Sequence, residues 1–265
     1  MLSTERYRAF GPDLANLWEH GSLYRAVGGR EVRISAAPGG ADVVPLNARI
    51  APEVRTLLGT TFDLAGFERF AEQEPVLKRL VPALRGFRPP INPDPFETLV
   101  TSITAQQVSL RAAFAIRNRL IERFGQQLRI AWEFPSAERL APADESELTA
   151  LGFSQRKAEY VLGLARADLP WDELPALPDD EVKAQVMRVR GLGEWTADWF
   201  LARHLARPRA WPAGDLGLVK AVALFYFDGV RLTSKELRAF GERFAPFENL
   251  AAHYLLTGAR VVPAG

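Results

Sequence analysis

Four small groups of residues in this chain have the types and spacing to do chemistry. In Val189-Arg190-Gly191-Leu192-Gly193-Glu194-Trp195-Thr196, two glycines one residue apart separate two stretches of helical periodicity. Glycine tolerates positive φ and puts no Cβ in the way, so the N–H groups of Gly191, Gly193 and Thr196 could converge on an anion where the second helix starts. A phosphodiester suits that geometry, and a grip on phosphate is independent of base sequence and weakened by salt. A plain tight turn between packed helices, plugged by Leu192, would carry the same glycines. Asp215 stands directly before a helical run from Leu216, where a carboxylate can cap the helix and also face a cleft. Trp195 and Trp199 share one helix face as i and i+4 residues, fit for a core or for a pocket wall. Gln106 and Gln107 close a helical run and offer amides to solvent or to a ligand.

Composition narrows the chemistry to these residue types. Of 265 residues, 48% are hydrophobic and 25% charged, enough for one large domain or two to three small ones. Cysteine is absent from the sequence, which removes disulfides, thiolate metal sites, cysteine nucleophiles and cysteine-ligated iron–sulfur clusters. His20, His204 and His253 lie far apart, so a histidine zinc site is not expected. Net charge is +1, yet residues 76–130 carry nine Lys/Arg against three Asp/Glu. That run suits either a polyanion-binding face or an arginine-rich solvated helix surface. Met1 is followed by Leu-Ser-Thr-Glu-Arg rather than a basic and then apolar leader, and no apolar run approaches the roughly 18 residues of a membrane span. A cytoplasmic location is expected.

The elements that must position these groups divide the chain unevenly. Residues 22–47 read as a small antiparallel meander, with Gly28-Gly29 and Pro38-Gly39-Gly40 as breaks. Helical periodicity takes over beyond it. Asp94-Pro95-Phe96-Glu97 combines a cap residue, a proline at the first helical position and a glutamate three places after the cap. Ser154 and Asp179 precede two further helical runs, the second carrying Val182, Val186 and Val189 on one stripe. The fold class expected is α+β, mostly α, with a small N-terminal α/β unit.

Residues 189–199 resemble the hairpin of the helix-hairpin-helix DNA glycosylase superfamily, set in a motif over about residues 180–206. Trp211-Pro212-Ala213-Gly214-Asp215-Leu216-Gly217-Leu218-Val219-Lys220 is similar to that superfamily's catalytic-aspartate segment in the bacterial 3-methyladenine DNA glycosylase II branch, and Asp215 follows Trp195 by the interval of that branch. Pro93-Asp94-Pro95-Phe96-Glu97 running into Ala105-Gln106-Gln107-Val108-Ser109, Leu151-Gly152 with Arg156-Lys157-Ala158, and Pro246-Phe247-Glu248-Asn249-Leu250-Ala251-Ala252 extend the likeness. Together they cover roughly residues 54–260 in the family's order.

The resemblance implies a small N-terminal domain over 1–75, a helical barrel over 95–207 and a second helical domain from 76–94 plus 208–265, with the active-site cleft between the two helical domains. It implies removal of alkylated bases of the 3-methyladenine and 7-methylguanine type from duplex DNA by a monomer that flips the base out of the stack. Asp215 would stabilise the oxocarbenium and orient or activate water. Trp195, Trp199, Leu216 and Phe247 would line the base pocket, and tryptophans attract a cationic base through cation–π contact. Leu216 and Phe247 stand where the best-known relative has a tyrosine and a tryptophan. Gln107, with Gln106 beside it, would fill the vacated stack. No cofactor is implied for the hydrolysis, but a structural Na+ or K+ on the carbonyls of Met187, Val189 and Leu192 is. Strand-cutting members carry a lysine in place of Trp195 for a Schiff base with the sugar, so lyase activity is not expected. A DNA-binding protein without catalysis and a bifunctional glycosylase/lyase are the alternatives, and Asp215 separates the first from an enzyme.

Overall fold

The computed structural model describes residues 2–261. After two 3-10 turns (Leu2–Tyr7 and Leu14–Asn16), the chain forms strands β1 (Leu17–Glu19), β2 (Ser22–Val27), β3 (Arg30–Ala37) and β4 (Gly40–Val44), antiparallel neighbours in sequence order. Gly28 and Gly29 both take left-handed φ, +55° and +74°, as a two-residue hairpin between β2 and β3 requires. Leu23, Val27, Val32 and Ile34 of this meander bury against Val54 and Leu57 of α1 (Ala51–Leu57).

Two helical bodies follow. The barrel holds α4 (Pro95–Ala105), α5 (Leu110–Phe124), a short ribbon β5 (Gln126–Gln127) with β6 (Trp132–Glu133), α6 (Ala137–Leu140), α7 (Glu145–Ala150), α8 (Gln155–Ala165), α9 (Asp179–Met187) and α10 (Glu194–Arg203). Its core runs from Leu99 and Ile103 through Val161, Val182 and Val186 to Phe200. The second body packs α2 (Leu64–Ala71) and α3 (Pro75–Ala83) with α11 (Leu216–Tyr226), α12 (Ser234–Gly241) and α13 (Glu248–Val261) around Leu77, Leu80, Val222, Phe244 and Leu255. Among the described residues, no helix is long and apolar enough to cross a membrane.

Three expectations change. The N-terminal unit ends near Leu58 instead of residue 75, because Phe62, Phe67 and Ala71 belong to the core of the second helical body. Phe67 meets the Tyr254 ring at 4.7 Å, a partner the local sequence around α2 does not reveal. The Asp94–Glu97 capping box is only half made: Asp94 Oδ1 accepts the Glu97 N–H at 3.0 Å, but the Asp94 N–H donates to Asn92 Oδ1. The Glu97 side chain is engaged elsewhere. The third helix starts at Asp179 itself, with Pro178 before it and no side-chain cap.

The Glu97 carboxylate is almost fully buried between two guanidiniums. Arg25 of β2 donates to its Oε2 at 2.7 Å, and Arg117 of α5 donates to its Oε1. Arg25 also reaches Asn16 Oδ1 at 2.6 Å and Asn92 Oδ1 at 3.0 Å, while Arg117 pairs with Asp13. Burial alone would raise the Glu97 carboxyl, but Arg25 and Arg117 outweigh it and hold the group below the usual carboxylate range. Burial likewise opposes the charge on Arg25, and the Glu97 carboxylate more than restores it. The network joins the meander to α4 and α5.

Two measurements probe this joint. Glu97→Ala leaves two buried guanidiniums without their shared partner, and removing one member of a buried ion pair costs about 3–5 kcal/mol. Urea unfolding is expected to show a loss of that size, and a loss under about 1 kcal/mol would contradict the reading. Burial first, and the Glu97 carboxylate second, push the Asp94 carboxyl from an ordinary 3.8 up to about 6. A carboxyl raised on folding contributes stability that is present below its unfolded pKa and lost as pH rises through its folded one. Asp94→Asn keeps a cap oxygen, so its stability profile should be flatter than wild type between about pH 4 and 6 and its melting temperature no lower at neutral pH.

Candidate active site

The hairpin between α9 and α10 is built around two glycines with different duties. Gly191 sits at φ +89°, and a Cβ there would stand 2.2 Å from the Tyr160 ring, so this position is closed to any side chain by packing as well as by conformation. The peptide joining Gly191 to Leu192 is pinned at both ends. Its N–H reaches Val189 O at 3.1 Å and its carbonyl accepts from Gln106 Nε2 at 3.2 Å. Gly193 is extended and caps α10 without a side-chain bond, and a Cβ there would meet nothing within 4 Å. The N–H groups of the first turn of α10, that of Thr196 included, have no acceptor four residues back in the helix, which leaves an anion-attracting end with an open approach. The Thr196 side chain itself is buried. Lys183 on α9 and Asp198 on α10 lock the two hairpin helices together at 2.6 Å.

A cleft of about 1050 Å³ separates the two helical bodies beside this hairpin. Trp195, Trp199, Gln106 and Gln107 line it from the barrel, and Asp215, Leu216 and Lys220 from the second body. The tryptophan rings lie 6.4 Å apart at 33°. Gly214 lies against the Trp195 ring, where a Cβ would stand at 3.2 Å, so the residue before the aspartate rests on the aromatic wall. Asp215 caps α11 through Oδ1, which accepts the Leu218 N–H at 3.0 Å, and remains half-buried at the cleft. The cap and the cleft-facing carboxylate are thus one residue. Leu216 is 72% exposed at the same mouth.

Other sequence expectations are redistributed. Phe247 does not line the cleft; it packs into the second core, 6.0 Å from the Phe67 ring and 5.6 Å from the Phe70 ring. Gln106 and Gln107 part company, since Gln106 caps α4 and is held by the hairpin, whereas Gln107 is exposed with φ +54°. The basic run over 76–130 is not one free patch. Arg117 is buried against Glu97, Arg119 donates to the Leu151 carbonyl, and Arg123 and Arg129 pair with Glu147 and Glu31. Met187, Val189 and Leu192 place their carbonyls at the end of α9 and in the turn, the electron-rich end of that helix.

The cleft also contains residues that the motifs did not single out. Arg203 lies eight positions after Trp195 on the same stripe of α10, a periodicity that could have flagged it. Its Nη1 lies 2.6 Å from His253 Nδ1 on α13. Arginine only donates, so the ring nitrogen is the acceptor in this contact. Phe10, 6.2 Å from the Phe114 ring, brings the N-terminal unit to the cleft as well, which no local signal announces. Across the domain boundary, Arg238 of α12 reaches Glu194 at 2.8 Å and Asp198 at 3.0 Å, and Asn249 of α13 donates to the Ala202 and Arg207 carbonyls.

Comparison with known proteins agrees with this architecture. The chain is 33% identical over 66% of its length to DNA-3-methyladenine glycosylase 2 of Escherichia coli, and 28% identical over 73% to the DNA-3-methyladenine glycosylase of Bacillus subtilis. It spans 61% and 66% of those two proteins. The solved structure of a 3-methyladenine DNA glycosylase from Archaeoglobus fulgidus superposes with a TM-score of 0.87 at 25% identity, covering 98% of this chain and 94% of that one. The family model for the HhH-GPD superfamily base excision DNA repair protein matches residues 100–246, which hold the hairpin, both tryptophans and Asp215, and the chain belongs to that superfamily.

Proposed function

We propose that this protein is a monofunctional DNA glycosylase that hydrolyses the N-glycosidic bond of alkylated purines in duplex DNA, acting as a monomer in the cytoplasm. The observation that carries the reading is the convergence of Asp215, the Trp195–Trp199 wall and the hairpin end of α10 on one cleft. Relatives named for 3-methyladenine removal point to the same substrate class.

The chemistry follows from what each group can do. The open end of α10 at Gly193 takes a backbone phosphate, holding the duplex while the damaged nucleotide leaves the stack at a cost of a few kcal/mol. The exposed Gln107 fills the gap. Against the indole wall, a base with formal positive charge gains about 0.5–2 kcal/mol per cation–π contact, in addition to stacking. As the bond from base to C1′ breaks, its electron pair goes to the base, which departs neutral, and positive charge develops on the sugar. The Asp215 carboxylate, fixed by its cap bond to Leu218, stabilises that charge, and water adds to C1′ as its proton passes to the carboxylate or to solvent. A cationic base needs no general acid. No lysine stands at position 195, and Lys183 is engaged with Asp198, so the reading excludes strand cleavage through a Schiff base at the hairpin. No cofactor enters the hydrolysis. The carbonyls of Met187, Val189 and Leu192, at the C-terminal end of α9 and in the turn, would hold a monovalent cation that helps to neutralise the bound phosphate.

Purified protein incubated with methylated DNA should release free alkylated bases and leave strands that break only on treatment with alkali. Asp215→Asn retains a cap and should melt like wild type, yet lower single-turnover release by about a hundredfold or more, the scale of losing one electrostatic stabiliser. Equal rates for the two proteins would overturn the role of Asp215, and nicking without alkali would overturn the monofunctional reading. Gly193→Asp, whose carboxylate would occupy the open approach, should weaken binding to undamaged duplex by about tenfold or more and flatten its salt dependence. Unchanged affinity would remove the hairpin from the DNA interface.

A further inference from the structure

Gln106 and Gln107 are adjacent, yet one is tied into the protein and the other is free to leave it. We propose that Gln106 is a positioning residue that couples the phosphate-gripping hairpin to Gln107, the side chain that enters the vacated base stack; this rests on the glycosylase reading above.

The loop between α4 and α5 is clamped on both sides of two exposed residues. On the α4 side, the Thr104 carbonyl accepts from the buried Lys157 ammonium at 2.8 Å, and Gln106 caps the helix with its N–H on Ile103 O. On the α5 side, Ser109 caps with Oγ on the Ala112 N–H. Only Gln107 and Val108 lie between these anchors, and both are exposed. Gln107 is held at φ +54°, a left-handed conformation that non-glycine residues keep only where their neighbours over-determine it. The Gln106 amide supplies the link outward, donating from Nε2 to the Gly191 carbonyl across 85 positions of sequence. That carbonyl belongs to the peptide already pinned by Leu192 N–H on Val189 O, two residues before the start of α10. Occupation of the open end of α10 by a phosphate is thereby transmitted through one hydrogen bond to the base of the inserting residue. Only an amide nitrogen can make this bond, because a carboxylate or an alkyl group has no hydrogen to give.

The experiment compares affinities for two duplexes, by fluorescence anisotropy, that differ at one nucleotide: an intact pair or a reduced abasic analogue whose stack is already vacant. Wild type is expected to prefer the abasic duplex. Gln106→Leu should lose about tenfold of that preference, equivalent to about 1.4 kcal/mol and within the range for one hydrogen bond, while its affinity for intact duplex stays within about twofold. Gln107→Ala should lose a similar amount. The double variant should be no worse than Gln107→Ala alone, since one residue acts through the other. Gln106→Met, of similar length, uncharged and without a hydrogen to give, should match Gln106→Leu and serves if the leucine variant misfolds. Additive losses in the double variant, an equal fall on both duplexes, an unchanged preference, or no preference in wild type would each overturn the coupling. Absence of base release by wild type with the coupling intact would overturn the proposed chemistry alone.

Discussion

The structure depends most on the burial of Glu97 between Arg25 and Arg117. Four buried charges, Glu97 and Asp13 against Arg25 and Arg117, are tolerable because each faces an opposite charge and hydrogen bonds add to the ion pairs. Asn16 and Asn92 supply those bonds. The consequence is geometric. The N-terminal meander becomes the base on which the start of α4 is seated, and the far end of α4 carries Gln106 and Gln107 to the cleft. A helix anchored at one end by ions and at the other by Lys157 and Gln106 has little freedom to rotate.

The local parts of this architecture were legible in the sequence. The glycine pair, the cap at Asp215, the i, i+4 tryptophans and the glycine turn at Gly28-Gly29 all declare themselves within a few residues, and each lies where its periodicity required. The interval between Trp195 and Asp215 has a physical basis in the contact of Gly214 with the Trp195 ring. Pairings made over long separations were not legible. The Asp94–Glu97 spacing reads as a complete capping box, but Glu97 is recruited by two arginines on other elements, a competition invisible without the fold. Phe247 reads as a pocket aromatic and instead closes a core with Phe67 and Phe70, because α2 belongs to the second helical body. Likewise, the fold divides part of the basic run, burying Arg117 with Glu97 and pairing Arg123 and Arg129 at the surface with Glu147 and Glu31.

The two glycines of the hairpin illustrate how one residue type answers different constraints. Gly191 is required by what already surrounds it, the Tyr160 ring and a left-handed backbone. Gly193 is surrounded by nothing on its Cβ side. A packed position and a vacant one look identical in a sequence, and only the second leaves room for something from outside.

The contacts that join the two helical bodies bear on the mechanics of any duplex that enters the cleft. Arg238 on Glu194 and Asp198, Asn249 on the Ala202 and Arg207 carbonyls, and Gly214 on Trp195 join the two helical bodies at several points. Contacts of this kind resist closure around a ligand, so part of the adjustment falls to the ligand. Bending a duplex by tens of degrees costs of order 1–6 kcal/mol, least where base steps stack poorly. For any duplex that enters, mechanical softness at a base step lowers this cost whatever the chemistry of the bases themselves.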